Sequence, residues 1–534
     1  MSEAMMEQKE QDQRLLKSTF AVAFPTLLSR ILGYVRDSIQ AFFLGTSRGA
    51  DAFTIAFVIP NLLRRLTAEG AMTAAFIPVF TEIKKEKSKD ELWKFANSFF
   101  FDLTLIMALL TILGIIFSPL LVKIIAFGFK DVQGKWELTT SLTRIMFPYI
   151  FFISLAALVM GVLNSFYKFF VPAFTPVLLN ISIIGVACLF ASKAGEPAYI
   201  FAAGVILGGF FQLAFQLPFL WKQGLRFKFS FSFTHPAIRK VAKLMVPGIF
   251  GLGIYQINFA ISRMFASAFE EGSVSSLYYA SRIQELTLGL FSIALSVALL
   301  PAFCEQAAHQ DIQGMKRTLV FSLKLTFLIT LPALVGLLVL NRPIIQVLFQ
   351  RGLFSAQSTA TSANCLFYFS LGLPFISGVK ILAPAFFSLK DTKTPVIIAF
   401  FVMLSYILFS LILMNPLKVG GIALALSISQ LLNFLVLFFY LEKKIAQIEK
   451  RKLILSALKS FLAAALMGVL VWLFMEQFDF SRLVFLKQAG VLFSAIFLGI
   501  LIYVLSSLLF NQEDLGGLRR IFSQEKILRE ESRK

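Results

Sequence analysis

The sequence predicts an all-α polytopic membrane protein of fourteen transmembrane helices, built as two pseudo-symmetric six-helix lobes plus a C-terminal helix pair. Three observations predict it. The 534 residues are 57% hydrophobic and 15% charged, with 62 Phe and a mean hydropathy of +0.79. Soluble domains run at about 45–50% apolar and about 25% charged. The apolar residues gather into stretches of about 20, the length that crosses a bilayer. The basic residues lie mostly between those stretches, alternately many and few.

The elements follow in order. Span 1 covers 17–44 after a polar start, with no small-residue cleavage pattern, so it is read as a retained helix rather than a signal peptide. Span 2 covers 50–82 and is the weakest by hydropathy, because its middle reads RRLTAEGAMT. Spans 3 to 6 cover 95–127, 138–165, 173–193 and 198–221. Spans 7 to 12 cover 244–269, 274–306, 318–341, 358–388, 394–415 and 419–441. Spans 13 and 14 cover 453–475 and 483–510, and a polar, basic tail runs from Asn511 to Lys534.

Loop charge tests this count. With a cytoplasmic N-terminus, and with Lys17, Lys193 and Lys487 at the span edges counted with the flanking segments, inside segments hold 30 of the 50 Lys and Arg, outside loops 9 and the spans 11. That bias obeys the positive-inside rule and places both termini in the cytoplasm. Omitting span 2 would scramble the alternation. The net charge of +20 is therefore mostly topology, and nucleic acid is not an expected partner.

Several function classes are excluded. There is no G-x-x-x-x-G-K-[ST] phosphate loop, no H-E-x-x-H and no Ser/His/Asp set. Cys188, Cys304 and Cys365 form no C-x-x-C, and His235 and His309 fall in loops. The expectation is a transporter, not an enzyme, with no metal and no catalytic residues.

The chain also resembles itself at an offset near 223. Pro78-Val-Phe-Thr-Glu82 returns as Pro301-Ala-Phe-Cys-Glu305, and Thr175-Pro-Val as Thr394-Pro-Val. Pro119 to Gly128 returns as Pro343 to Gly352. Each half holds six spans, an even number, so the halves share one orientation and an axis along the membrane normal. The expected domains are 1–221 (helices 1–6), 222–441 (helices 7–12) and 442–534 (helices 13–14 with the tail), with a central cavity between the halves.

The unusual stretch is Ser29 to Glu82, where Arg30, Arg36, Asp37, Asp51, Arg64, Arg65 and Glu69 interrupt two long helical patterns. An arginine at mid-membrane costs about 2.5–3.5 kcal/mol on insertion scales, so several are tolerated only against water, partner charges or a substrate. Span 8 adds Arg282 and Glu285. Arginine's planar fork suits phosphate and never deprotonates. Arg30, Arg36, Arg64 and Arg282 are thus candidate ligands of a diphosphate or another multiply anionic headgroup. Two readings of the carboxylates stand side by side. They neutralise the arginines, as an i,i+4 Arg65–Glu69 pair would, or they form gates.

These residues carry a resemblance. SRILGYVRD, then GADAF, then IPNLLRRLTAEGA with FIPVF, and YYASR in span 8, resemble the MurJ/MviN lipid II flippases of the multidrug/oligosaccharidyl-lipid/polysaccharide exporter superfamily. The resemblance covers essentially the whole chain. It implies that lipid II, the undecaprenyl-diphosphate-linked disaccharide-pentapeptide, passes from the inner to the outer leaflet of the bacterial cytoplasmic membrane by alternating access. It implies substrate contact for Ser29, Arg30, Arg36, Asn61, Arg64 and Arg282, the diphosphate falling to Arg36, Arg64 and Arg282. It implies a gate or cavity network of Asp37, Asp51 and Glu69, and a groove for the polyprenyl tail on spans 13 and 14. Expected partners are lipid II, membrane lipids and the cell-wall synthesis machinery.

Two departures follow. Many relatives carry an aspartate where this chain has Ser281. Some relatives use an acidic sodium site among helices 7, 11 and 12, whose interiors here hold no carboxylate; Glu270 and Glu442 lie at ends. Sodium coupling is in doubt on that ground, and no cofactor is expected. Membrane potential, at about 2.3 kcal/mol per charge per 100 mV, and coupling to an ion both stay open as energy sources. The rival readings are an exporter of another polyprenyl-diphosphate glycan and a non-transporting scaffold of cell-wall assembly.

Overall fold

The computed structural model describes residues 3–64, 72–232, 235–290, 292–445 and 448–510. It is helical, with no strand among the described residues. The chain divides into two compact units, Met1–Ser275 with Arg351–Ser355, and Ser276–Gln350 with Ala356–Lys534.

The first unit holds α1 (Glu3–Leu44), α2 (Arg48–Arg64), α3 (Thr73–Glu86), α4 (Lys89–Ile116), α5 (Ser118–Ile125), α6 (Lys135–Met146), α7 (Tyr149–Ser165), α8 (Phe170–Phe190), α9 (Pro197–Lys222) and α10 (Pro236–Ala266). Helix α8 packs along both α1 and α9, and α6 packs along α2. Two apolar cores result. One joins Leu44, Phe53 and Ala56 to Leu142, Tyr149 and Phe201. The other joins Phe76 and Phe80 to Phe95, Phe99 and Val162.

The second unit holds α11 (Ser273–Leu290, whose first three residues group with the first unit), α12 (Ser292–Ala308), α13 (Ile312–Phe349), α14 (Ala356–Leu371), α15 (Leu373–Ser388), α16 (Lys393–Leu417), α17 (Val419–Ile445), α18 (Lys450–Glu476) and α19 (Phe485–Phe510). Helix α17 packs on α14, α15 and α16, and α18 sits against α13 and α19. Tyr503 of α19 donates from its hydroxyl to the Leu328 carbonyl of α13 at 2.6 Å, tying the last helix to the unit.

Among the described residues, nine helical stretches are long and apolar enough to cross a membrane: Lys89–Ile116, Lys135–Ser165, Phe170–Lys193, Pro197–Lys222, Ile312–Phe349, Lys393–Leu417, Val419–Ile445, Lys450–Glu476 and Phe485–Phe510. A tenth is added if α14 and α15, bent by 44° at their junction, act as one span. The other predicted spans, on α1, α2–α3, α10 and α11–α12, are helical where they are described. Three of them carry charge inside the predicted span: Arg30, Arg36 and Asp37; Arg64; Arg282 and Glu285. They do not read as plain lipid-facing helices.

Matching helix ends recur 223 residues apart. Ser88 caps α4 by accepting from the Glu91 N–H at 3.3 Å, and Asp311 caps α13 by accepting from the Gly314 N–H at 2.8 Å. Helix α7 closes with Tyr167 in the left-handed region, and Lys168 N–H donates to the Leu163 carbonyl. Helix α15 closes with Lys390 in that region, and Asp391 N–H donates to the Phe386 carbonyl. Both are the left-handed C-terminal motif that satisfies the last carbonyls of a helix. The sequence offset thus marks corresponding backbone turns.

Between α9 and α10 the chain runs extended along α4. Asn97 accepts from the Lys228 N–H at 3.1 Å and donates to the Arg226 carbonyl at 2.8 Å, while Asp102 accepts from the Ser232 N–H at 3.1 Å. Buried non-helical backbone needs such partners. Alternation at period two turns Phe227, Phe229 and Phe231 onto Phe100 and Phe101.

Candidate functional site

The first part of the site is built on α1 and α8. Helical spacing puts Ser29 and Arg36 on the side of α1 that α8 covers. Arg36 donates from Nε and Nη2 to one oxygen of Asp37, at 3.0 and 2.7 Å, and from Nη1 to the Asn180 amide oxygen at 3.2 Å. Asn180 donates in turn to the Ser29 carbonyl at 3.0 Å. The Asp37 side chain is fully buried and that of Arg36 is 13% exposed. A carboxylate placed there needs a counter-charge and hydrogen bonds, and Arg36 supplies both. Arg30 and Ser29 are half-buried on the same helix.

The second part is α2. Asn61 accepts from Arg64 Nε at 3.0 Å, which holds the guanidinium along its own helix. Both side chains are half-buried. Arg65 and Glu69, including their predicted pairing, lie outside the described residues.

The third part surrounds the α1–α2 turn. Asp51 opens α2 and is completely buried. Its Oδ1 accepts from the backbone N–H and the hydroxyl of Ser275, at 2.8 and 2.7 Å. Its Oδ2 accepts from the Gly272 N–H and from Lys135 Nζ, both at 2.8 Å. Asp51 therefore caps the first turn of α11, where unpaired N–H groups and the helix dipole favour a negative charge. The neighbouring Arg48 donates its backbone N–H to Glu271 at 2.7 Å and sits 3.7 Å from Glu196. Leu353 N–H donates to the Phe42 carbonyl at 2.9 Å. Gly45 has φ +57°, and a Cβ there would overlap the Leu353 carbonyl. The α1–α2 turn thus gathers the connections before α6, α9, α11 and α14.

In the second unit, Arg282 Nη1 donates to Glu285 Oε2 at 2.8 Å, one helical turn along α11, with the side chains 27% and 33% exposed. Ser281, beside it, is buried and donates to the Tyr278 carbonyl at 2.8 Å.

Two parts of this arrangement escape a reading of the sequence. Asn180 is a lone amide in the apolar run TPVLLNISII, and its cost in lipid was the signal that could have singled it out. Lys135 reads only as a charge at a loop edge, yet its side chain is 1% exposed. The pairing rule also needs correction. Carboxylates expected to neutralise arginines do so at Asp37, whereas Asp51 is matched by a lysine. Among the described residues no cluster of three or more His, Cys, Asp or Glu could hold a metal ion.

A family model described as lipid II flippase MurJ matches residues 40–490, most of the chain. The chain belongs to the MurJ family. The probable lipid II flippase MurJ of Vibrio cholerae is 36% identical over 472 residues, covering 86% of this chain and 89% of that one. The lipid II flippase MurJ of Burkholderia cenocepacia is 33% identical over 503 residues, covering 91% and 97%. A solved lipid II flippase MurJ in an inward closed conformation superposes with a TM-score of 0.75 at 30% identity, covering 92% of this chain and 99% of that one. An inward-facing multidrug transporter of the MATE family reaches a TM-score of 0.67 at 15% identity, covering 78% and 94%, which relates the fold alone. The MurJ match runs through α2 to α18 and into α19, and so takes in Asp51, Asn61, Arg64, Lys135, Asn180 and Arg282.

Proposed function

We propose that this protein moves lipid II from the inner to the outer leaflet of the bacterial cytoplasmic membrane by alternating access, as a transporter and not an enzyme. The observation that carries the reading is the family match over nearly the whole chain, at 30–38% identity to flippases of that name. The buried charges of α1 and α2 agree with it, since ionised groups in a membrane protein are retained at a cost that function explains. Arg30, Arg36, Arg64 and Arg282 contact the headgroup, and Arg36, Arg64 and Arg282 take the diphosphate. Ser29 and Asn61 complete the polar lining, and Asn180 sets the orientation of Arg36. Asp37, Asp51 and Glu69 belong to the gate or cavity network.

In this reading all fourteen predicted helices span the membrane as two six-helix lobes and a final pair, and both termini are cytoplasmic. The last pair carries the polyprenyl tail, because a long hydrocarbon chain and a diphosphate need different surroundings. Membrane potential drives the cycle, and the cell-wall synthesis machinery receives the product.

The test uses cells depleted of their own flippase. Expression of this chain should restore cleavage of outer-leaflet lipid II by an added lipid II-cleaving toxin. Arg36→Ala and Arg282→Ala, present in the membrane at wild-type level, should not. Restoration by both variants would remove the arginines from the substrate site and leave transport standing. No restoration by well-expressed wild type would favour another lipid-diphosphate glycan or a scaffold.

A further inference from the structure

We infer that Lys135 is a positioning residue of the transport cycle. Its charge holds Asp51 ready to clamp the first turn of α11, and so favours the clamped over the released arrangement. The inference rests on the alternating-access reading for its role in transport, and on the geometry alone for its effect on the clamp.

The two sides of the clamp differ. Lys135 opens α6, and α6 packs along α2, the helix that carries Asp51. Lysine and aspartate therefore travel together. Gly272 and Ser275 belong instead to the connection from α10 into α11. Release of the Gly272–Ser275 turn from Asp51 breaks three hydrogen bonds, at 2.8, 2.8 and 2.7 Å, none of which involves Lys135.

Lys135 is itself held from two directions. Its ammonium lies 2.8 Å from Asp51 Oδ2 and 4.2 Å from the centre of the buried Phe129 ring. Phe129 lies on the short turn Phe127–Asp131, whose Gly128 N–H donates to Ser267 Oγ at 3.4 Å. A Cβ at Gly128 would overlap the Ser267 carbonyl, so this turn can only sit here as glycine. The Gly134 backbone before Lys135 is left-handed, at φ +71°. The ammonium is thus placed by backbone as well as by its partner.

The clamped arrangement buries Asp51 away from water. Released, the carboxylate meets solvent. Removing the lysine charge leaves a buried, uncompensated carboxylate in the clamped arrangement, which is strongly unfavourable, and a hydrated one in the released arrangement, which is not. A charge that stabilises one state more than the other shifts the population between them.

The test is thiol accessibility at Ser273, buried in the clamped first turn of α11. Cys188, Cys304 and Cys365 are replaced by Ser and Ser273→Cys is introduced. The purified full chain is labelled with a maleimide in lipid nanodiscs, where both faces meet the reagent. Labelling should be slow in this parent and rise roughly tenfold or more in Lys135→Met and in Lys135→Gln. Lys135→Arg keeps the charge and should label close to the parent rate. If only packing mattered, Lys135→Met, the closer match in shape, would label more slowly than Lys135→Arg. If Lys135→Met fails to reach the membrane, Lys135→Gln decides. Labelling at the parent rate in folded Lys135→Met and Lys135→Gln overturns the assignment, and so does faster labelling in Lys135→Arg than in Lys135→Met. Failure of the wild-type chain to expose lipid II in cells, with these labelling responses intact, would refute the flippase reading and leave the clamp assignment in place.

Discussion

Asp391 gives the most quantitative prediction. It lies in the turn before α16, where Oδ1 accepts from the Thr394 N–H at 3.0 Å and Oδ2 lies 2.8 Å from Lys444 Nζ. Burial pushes its carboxyl up, but the Lys444 ammonium and the Thr394 hydroxyl and N–H outweigh it and hold the pKa at about 2, against an ordinary 3.8. A depressed pKa is stability that is fully present above the unfolded value and lost as pH falls through the folded one. The difference of nearly two units corresponds to about 2 kcal/mol. Asp391 is only 13% exposed, whereas Lys444 is 41% exposed, so solvent screens the lysine's share to about 1 kcal/mol. The assay is denaturant unfolding of the purified protein in detergent, for wild type, Asp391→Asn, Lys444→Met and the double variant. Asp391→Asn should lose about 2 kcal/mol at pH 7. The cycle should return a coupling of about 1 kcal/mol between the two residues. Wild type should weaken relative to Asp391→Asn as pH drops from 5 toward 2. A loss below about 0.5 kcal/mol at pH 7, or a wild-type advantage that persists unchanged to pH 2, would refute the reasoning.

Other outcomes are expected at the site and the helix ends. Arg36→Lys keeps the charge and loses the planar fork that spans Asp37 and Asn180, so lipid II exposure should fall roughly tenfold at equal expression. Asn180→Leu leaves the Arg36 Nη1 and Ser29 carbonyl contacts unmade; thermal unfolding should show a loss of about 1–3 kcal/mol, with reduced lipid II exposure. Gly45→Ala forces a Cβ into the Leu353 carbonyl at a left-handed backbone position, and a drop in the thermal midpoint should report a cost above the about 1 kcal/mol of conformation alone. Ser88→Ala and Asp311→Ala remove corresponding helix caps and should each cost about 1 kcal/mol, adding in the double variant.

Much of this protein is legible from its residue order. Hydropathy is a local sum, so the all-α membrane class follows from apolar stretches alone. The 223-residue offset is also a property of order, and the caps at Ser88 and Asp311 and the left-handed ends at Tyr167 and Lys390 follow it. The cost of charge in a membrane helix singles out Arg30, Arg36, Asp37, Asp51, Arg64 and Arg282 without any coordinates. Those residues also carried the family resemblance.

Partnership is a different kind of property. Asp51 meets Lys135 across 84 residues, and Arg36 meets Asn180 across 144. Nothing in local hydropathy distinguishes Lys135 from a solvated loop lysine; only the packing of α6 along α2 takes its ammonium out of water and gives it one carboxylate and one ring. The Asp51 contact with α11 depends likewise on where α10 ends. Sequence determined which charges had to be explained, because burial costs are set by residue type. Tertiary structure decided which groups neutralise them, because an ion pair is settled by distances of about 3 Å that only the packed helices define.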